Sequence, residues 1–89
     1  MIKAVSIKVT GHLKQVGYHS NILLATKDLN IVGKYQSNDD GSVYIEAQGD
    51  EKDLEVFINV CRRPSPFTRV DNLDVTPMEV NEELTSFEG

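Results

Sequence analysis

Alternating apolar and polar side chains mark the first part of the chain as a strand. Val5, Ile7 and Val9 fall on one face, and the residues between them are polar. This period of two predicts a half-buried strand that ends at Gly11.

The spacing then changes to that of a helix. Four residues share one helical face: Ile22, Ala25, Thr26 and Leu29. We predict a helix from about Tyr18 to Asp28, with Asn30 in the left-handed conformation that often ends a helix.

A hairpin and a second helix follow. Two alternating runs, 31–36 and 42–47, are joined by a polar cluster that ends in Asp40-Gly41, a strong hairpin signal. Asp50 is a suitable N-cap for the next helix, and the prolines after Arg63 end it. That helix has an apolar stripe of four residues: Leu54, Phe57, Ile58 and Cys61.

The last third of the chain is less regular. Val70, Leu73 and Val75 predict one more strand, interrupted near residues 71–72. Residues 79–89 form an acidic tail in which a short last strand is an open alternative to a loose segment.

The order of these elements defines the fold class. Strand, helix, strand, strand, helix, strand is the split βαβ order of an α+β, ferredoxin-like βαββαβ sandwich, with an antiparallel sheet and both helices on one face. Eighty-nine residues leave room for one domain, so we assign residues 1–89 to a single domain.

The amino-acid composition narrows the range of possible functions. The chain is 39% apolar and 26% charged, as in an ordinary globular protein, and its net charge of −5 argues against nucleic-acid binding. No apolar run is long enough to span a bilayer, and no signal peptide is evident. The single cysteine, Cys61, cannot form an internal disulfide. We therefore expect a cytoplasmic monomer without a metal or cofactor, and no membrane partner.

Two segments carry the candidate chemistry. Residues 9–19 link a strand to a helix N-terminus, where backbone N–H groups without partners and the helix dipole favour an anion. Residues 33–43, followed by Gly49, read on their own as a hairpin. The first segment contains Gly11, Val16 and Tyr18, and the second contains Gly33, Gly41 and Val43.

Together these segments resemble the two signatures of the acylphosphatase family. The family's first segment reads aliphatic-x-Gly-x-Val-Gln-Gly-Val-x-Phe-Arg, and its second reads Gly-aromatic-x-x-Asn-x-x-x-Gly-x-Val. The resemblance implies an anion cradle for an acyl phosphate or inorganic phosphate, formed by Lys14, Gln15, Val16, Gly17, Tyr18 and His19.

The departures from the family pattern fall on the chemistry. His19 stands where the family has its phosphate-binding arginine, and Ser37 where it has its water-positioning asparagine. Gln15 replaces the central glycine of the loop. An arginine fork grips two phosphate oxygens at once, whereas a histidine, with an ordinary pKa near ~6.5, is mostly neutral at pH 7. Asn38 could take the asparagine role only after a one-residue slip, which reverses the side-chain direction.

Three functions follow from this comparison. The resemblance with its departures favours an acylphosphatase-like protein with impaired or absent catalysis and a weak phosphate site. The alternatives are an active acylphosphatase that uses His19 and Ser37 as substitutes, and a small interaction module with an unknown protein partner.

Overall fold

The computed structural model describes residues 1–13, 15–63 and 68–89, and for Gln15 and Val16 it describes the backbone only. The elements in chain order are β1 (Ile2–His12), α1 (Gln15–Asp28), β2 (Val32–Ser37), β3 (Val43–Asp50), α2 (Glu51–Arg62), β4 (Arg69–Met78) and β5 (Phe87–Glu88). The predicted α+β, ferredoxin-like sandwich is confirmed.

In the described part of the chain, the sheet has five strands in the order β4-β1-β3-β2-β5. β3 runs antiparallel to both β1 and β2, β4 runs antiparallel to β1, and β5 lies parallel to β2 at the far edge. Val9 is paired with Val43, which is paired in turn with Ser37, so the ends of β1 and β2 lie in one row. This row is at the same end of the sheet as the start of α1.

The core lies between the sheet and the two helices. Strand residues of odd number in β1, β2 and β3 face the helices, as the alternation in β1 predicts. Among the described residues, the largest fully buried side chains are Phe57, Ile7, Ile22, Ile45, Val9, Val43 and Cys61. Phe87 of β5 meets Phe57 edge to face at 6.4 Å between ring centroids, which fixes the short last strand against α2.

The helices follow the predicted stripes. Leu54, Phe57 and Cys61 of α2 are buried, and the Asp50 carboxylate accepts a hydrogen bond of 3.0 Å from the Lys52 N–H as the predicted N-cap. Asn30 has φ 54°, the left-handed conformation predicted after α1. No helix among the described residues is long and apolar enough to cross a membrane.

Three predicted boundaries are corrected. β1 continues through Gly11 to His12, and α1 begins at Gln15, three residues before Tyr18. β4 is not interrupted: Thr10 lies opposite Asn72 and Gly11 opposite Val70, so one extra residue of β4 is accommodated as a bulge. A bulge keeps the strand continuous but shifts the alternation of apolar and polar residues. The sequence pattern of β4 therefore suggests a break where the strand in fact continues.

The segment between β4 and β5 crosses the sheet from one edge to the other. Asn81 joins this segment to the open sheet face through two hydrogen bonds with the Gln48 side chain: its N–H donates to Oε1 at 2.8 Å, and its carbonyl accepts from Nε2 at 3.0 Å. The Ser86 carbonyl then accepts from the Gly33 N–H at 3.1 Å. The acidic tail is therefore held on the sheet.

Candidate functional site

The first candidate feature is the N-terminal turn of α1. Only two residues separate the end of β1 at His12 from Gln15, so the helix start lies directly over the end of the strand. The N–H groups of this turn have no partner within the helix, and the turn contains no acidic residue to occupy them. Partial positive charge therefore remains available to an anion at this end of α1.

The predicted cradle is described only in part. Lys14 lies outside the described residues, and the side chains of Gln15 and Val16 are likewise outside them. Gly17 is exposed, with open space where a Cβ would stand. Tyr18 is buried and its side chain is directed inward, so only its backbone N–H can face an anion.

Tyr18 instead connects the two helices. Its hydroxyl donates a buried hydrogen bond of 2.8 Å to the carbonyl of Cys61. That carbonyl lies in the last turn of α2, where helix carbonyls lack an intrahelical donor, so the Tyr18 hydroxyl supplies a partner for it. Burial, followed by the proximity of Cys61 and Tyr35, raises the pKa of Tyr18.

His19 is the central side chain of the site. It is partly buried, and its imidazole stacks on the ring of Tyr35 with 4.3 Å between centroids and an angle of 19° between the planes. Its Nε2 atom is buried and has no hydrogen-bond partner among the described residues. A shielded polar atom without a partner is costly, and a bound acceptor that reached it would relieve that cost.

Ser37 ends β2 at the same end of the sheet. It is exposed, and it shares the helix-facing side of the strand with Gly33 and Tyr35. Because two residues of a strand span roughly 6.6 Å, Ser37 follows the ring on which His19 stacks by about that distance. The two predicted residues thus lie at one end of one face.

Asn38 does not take the place of Ser37. Its side-chain amide donates to the Ser42 hydroxyl at 3.0 Å and accepts from Gln36 Nε2 at 3.1 Å. Its backbone N–H also donates to the Ser42 carbonyl. The amide is therefore held within the hairpin turn, and the one-residue slip does not occur.

The same turn is fixed by Asp40. The Asp40 carboxylate accepts from both the N–H and the hydroxyl of Ser42, at 2.9 and 2.6 Å. These two hydrogen bonds lower the pKa of Asp40. The turn that positions Ser37 is thus stabilised by polar contacts of its own.

Gly11, shared with the family's first segment, has a structural role. Its φ is 147°, and a Cβ at this position would overlap the backbone carbonyl oxygen of Arg69. The glycine therefore permits the close approach of β4 at the bulge, next to the start of the loop.

Tyr35 is a site residue that the sequence reasoning missed. Burial, followed by the proximity of Cys61, raises its pKa to about 12, and burial raises the pKa of Cys61 to about 12. The alternation of Gly33, Tyr35 and Ser37 could have placed it on the helix-facing side, but its contact with His19 depends on where α1 begins. No cluster of three or more metal-ligating side chains occurs in the part of the chain that the structure describes.

Comparison with known proteins agrees with this architecture. The acylphosphatase family model matches residues 5–89. An acylphosphatase of Oceanobacillus iheyensis is 36% identical over 88 residues, covering 98% of this chain and 97% of the relative. An acylphosphatase of Lactobacillus gasseri is 39% identical over 87 residues, covering 97% and 96%.

The fold comparison gives the same result. The crystal structure of an acylphosphatase from Bacillus subtilis superposes with a TM-score of 0.88 at 28% identity, covering 99% of this chain and 97% of that one. The class of protein is thus a small α+β domain with a five-stranded sheet and two helices. The chain belongs to the acylphosphatase family.

Proposed function

We propose that this protein hydrolyses the carboxyl–phosphate bond of small acyl phosphates at the N-terminus of α1. The relatives named acylphosphatase match nearly the whole chain, which supports the hydrolase more directly than a protein with impaired catalysis. The observation that carries the proposal is the shielded, unpartnered Nε2 of His19, at the same end of the sheet as Ser37.

The chemistry required is modest. Water attacks phosphorus, the bond from phosphorus to the acyl oxygen breaks, and a carboxylate and inorganic phosphate leave. N–H groups of the first turn of α1 and a protonated His19 stabilise the charge on the phosphoryl oxygens, and the Ser37 hydroxyl orients the water. The protein forms no bond to the substrate in this scheme.

Replacement of an arginine by a histidine makes this scheme dependent on pH. A histidine side chain is charged only when it is protonated, whereas arginine is charged at all relevant pH values. Hydrolysis should therefore be faster at the acidic end of the range from pH 5 to 8. Misplacement by about 1 Å costs on the order of 100-fold, so an imperfect substitute also gives a slow enzyme.

The test is hydrolysis of benzoyl phosphate between pH 5 and 8. We expect the rate of the wild-type protein to decline across this range, and that of His19→Arg to be nearly constant once substrate ionisation is accounted for. The double variant His19→Arg, Ser37→Asn should be faster by about 100-fold or more at pH 7. His12→Arg is the matched control, since it makes the same exchange on an exposed residue at the end of β1 that is not among the proposed cradle residues 14–19.

A phosphate-binding domain without turnover is the second candidate. The residues His19 and Ser37 favour this candidate. Compared with the family pattern, the site then lacks the arginine guanidinium that binds phosphate and the asparagine amide that positions the water. Absence of hydrolysis in the wild-type protein, with NMR shifts confined to residues 15–19 on addition of phosphate, would establish this candidate. Shifts confined to the open sheet face on addition of a cell extract fraction would instead favour the interaction module.

The cellular compartment, the partners and the oligomeric state of the protein are part of the same proposal. Cys61 is buried as a free thiol, which suits a reducing compartment such as the cytoplasm. The net charge of −5 disfavours a nucleic-acid partner. We propose a monomer that acts on small molecules, for which the check is the mass by light scattering and the location of a tagged full-length protein.

A further inference from the structure

The stack between His19 and Tyr35 joins α1 to β2 at the candidate site. His19 belongs to the second turn of α1, and Tyr35 belongs to β2, two residues before Ser37. Tyr35 is only 9% exposed, so its ring is held by the core, while the imidazole rests on it at 4.3 Å. A fixed ring under a side chain with two rotatable bonds limits the directions in which that side chain can point.

We propose that Tyr35 is a positioning residue that orients the imidazole of His19 toward a bound phosphoryl group. This inference rests on the proposed function and identifies what sets the geometry of that site. The near-parallel planes, 19° apart, confine the imidazole to one plane over the Tyr35 ring, which restricts the directions in which Nε2 can point. The arginine fork of the family pattern orients itself through two parallel hydrogen bonds, whereas a histidine needs an external support.

The face of an aromatic ring attracts cations, so the ring of Tyr35 is a suitable support for an imidazole that binds an anion. Among the described residues, the titratable groups close to Tyr35 are Tyr18 of α1 and Cys61 of α2. Their pKa values are raised by burial, that of Cys61 to about 12, so both stay neutral between pH 5 and 8.

The hydroxyl of Tyr35 is not part of this role. It is buried and has no hydrogen-bond partner among the described residues. Tyr35→Phe therefore keeps the ring and the stack, whereas Tyr35→Leu keeps an apolar side chain but removes the aromatic face. Tyr44→Leu is the matched control, because Tyr44 lies on the opposite face of the sheet, where its hydroxyl donates to Glu46.

The experiment measures three quantities in each variant: the NMR shifts of the His19 imidazole protons, the dissociation constant for inorganic phosphate, and kcat and KM for benzoyl phosphate. In the wild-type protein and Tyr35→Phe, the imidazole protons should show the upfield ring-current shift of a stacked ring. Tyr35→Leu should lose that shift, bind phosphate about tenfold more weakly at pH 6, and lose kcat rather than only raise KM. Tyr44→Leu should match the wild-type protein in all three.

A double-mutant cycle with His19→Ala separates positioning from a general structural effect. If Tyr35 acts through His19, Tyr35→Leu causes no further loss in the His19→Ala background. Equal losses in both backgrounds, or an unshifted imidazole in the wild-type protein, overturn the inference. If no variant hydrolyses benzoyl phosphate, the proposed function fails, while the shifts and phosphate affinities still decide whether Tyr35 orients His19.

Discussion

Two buried tyrosines allow one chemical change to be tested with opposite expected signs. Tyr18→Phe removes a hydroxyl that donates to the Cys61 carbonyl at 2.8 Å. Tyr35→Phe removes a hydroxyl that is buried and has no partner in the described part of the chain. The volume removed is the same in both cases, so the difference isolates the hydrogen bond.

The magnitudes follow from the fate of the polar atoms. In Tyr18→Phe the Cys61 carbonyl loses its partner at the end of α2, and an unsatisfied buried acceptor costs about 1–3 kcal/mol. In Tyr35→Phe an unsatisfied group disappears, so the free energy of unfolding should be unchanged or rise by up to about 1 kcal/mol. For a domain of this size, each kcal/mol changes Tm by roughly 4–8 °C.

The assay is urea unfolding at pH 7 for the wild-type protein and both variants, with thermal unfolding as a second measure. We expect the midpoint to fall for Tyr18→Phe and to stay or rise for Tyr35→Phe, with equal m-values throughout. A loss of stability of the same size in both variants would refute the reasoning, since it would show that the two hydroxyls have equivalent partners.

Three further predictions concern the loop, the buried thiol and the crossing segment. Gly11→Ala should destabilise the fold by more than about 2 kcal/mol, because φ is positive at this position and the added Cβ would overlap the backbone of β4. Gly17→Ala should be neutral or stabilising by up to about 1 kcal/mol, because the added Cβ meets open space within a helix. Urea unfolding of both variants checks this contrast. Burial raises the folded pKa of Cys61 above its ordinary value of 9.0 to about 12, so stability should be full below pH 9 and decline as the pH rises toward 12. Unfolding midpoints between pH 8 and 11 test this, and a thiol reagent that reacts rapidly with the native protein at pH 8 would contradict it. Gln48→Ala should release the segment at Asn81 and speed amide exchange there by at least tenfold, with little change in the core; unchanged exchange would show that other contacts hold the segment.

The sequence predicted the fold from local signals that the structure retains. The alternation around Ile7, the stripe through Phe57 and the turn at Asp40-Gly41 each depend on contacts close in sequence or on one buried face. For that reason the element order and the fold class could be predicted without knowledge of tertiary contacts.

The details that failed depend on tertiary contacts. The start of α1 at Gln15 was missed because the apolar stripe begins only at Ile22, and the first buried residue among the described side chains of the helix is Tyr18. The bulge opposite Gly11 is set by the register between β1 and β4, which no local pattern encodes.

The site was predicted only as far as a resemblance reaches. His19 and Ser37 were found through spacing that matches the family, and they do lie at one end of the sheet. Tyr35 could not be found in this way, since its role arises from a stack between α1 and β2 that depends on the helix start.

The bulge in β4 affects whether this edge strand can pair with a strand of another molecule. β4 is an exposed strand at the sheet edge, and such edges can recruit a strand from another chain. Here the bulge disturbs the backbone near Asp71, and Pro77 supplies no N–H near the other end. Between the bulge and Pro77, the stretch from Asn72 to Thr76 is the regular part of this edge among the described residues, and Asp74 adds negative charge at its centre. The edge is therefore a short and repulsive template, which disfavours edge-to-edge aggregation at high concentration.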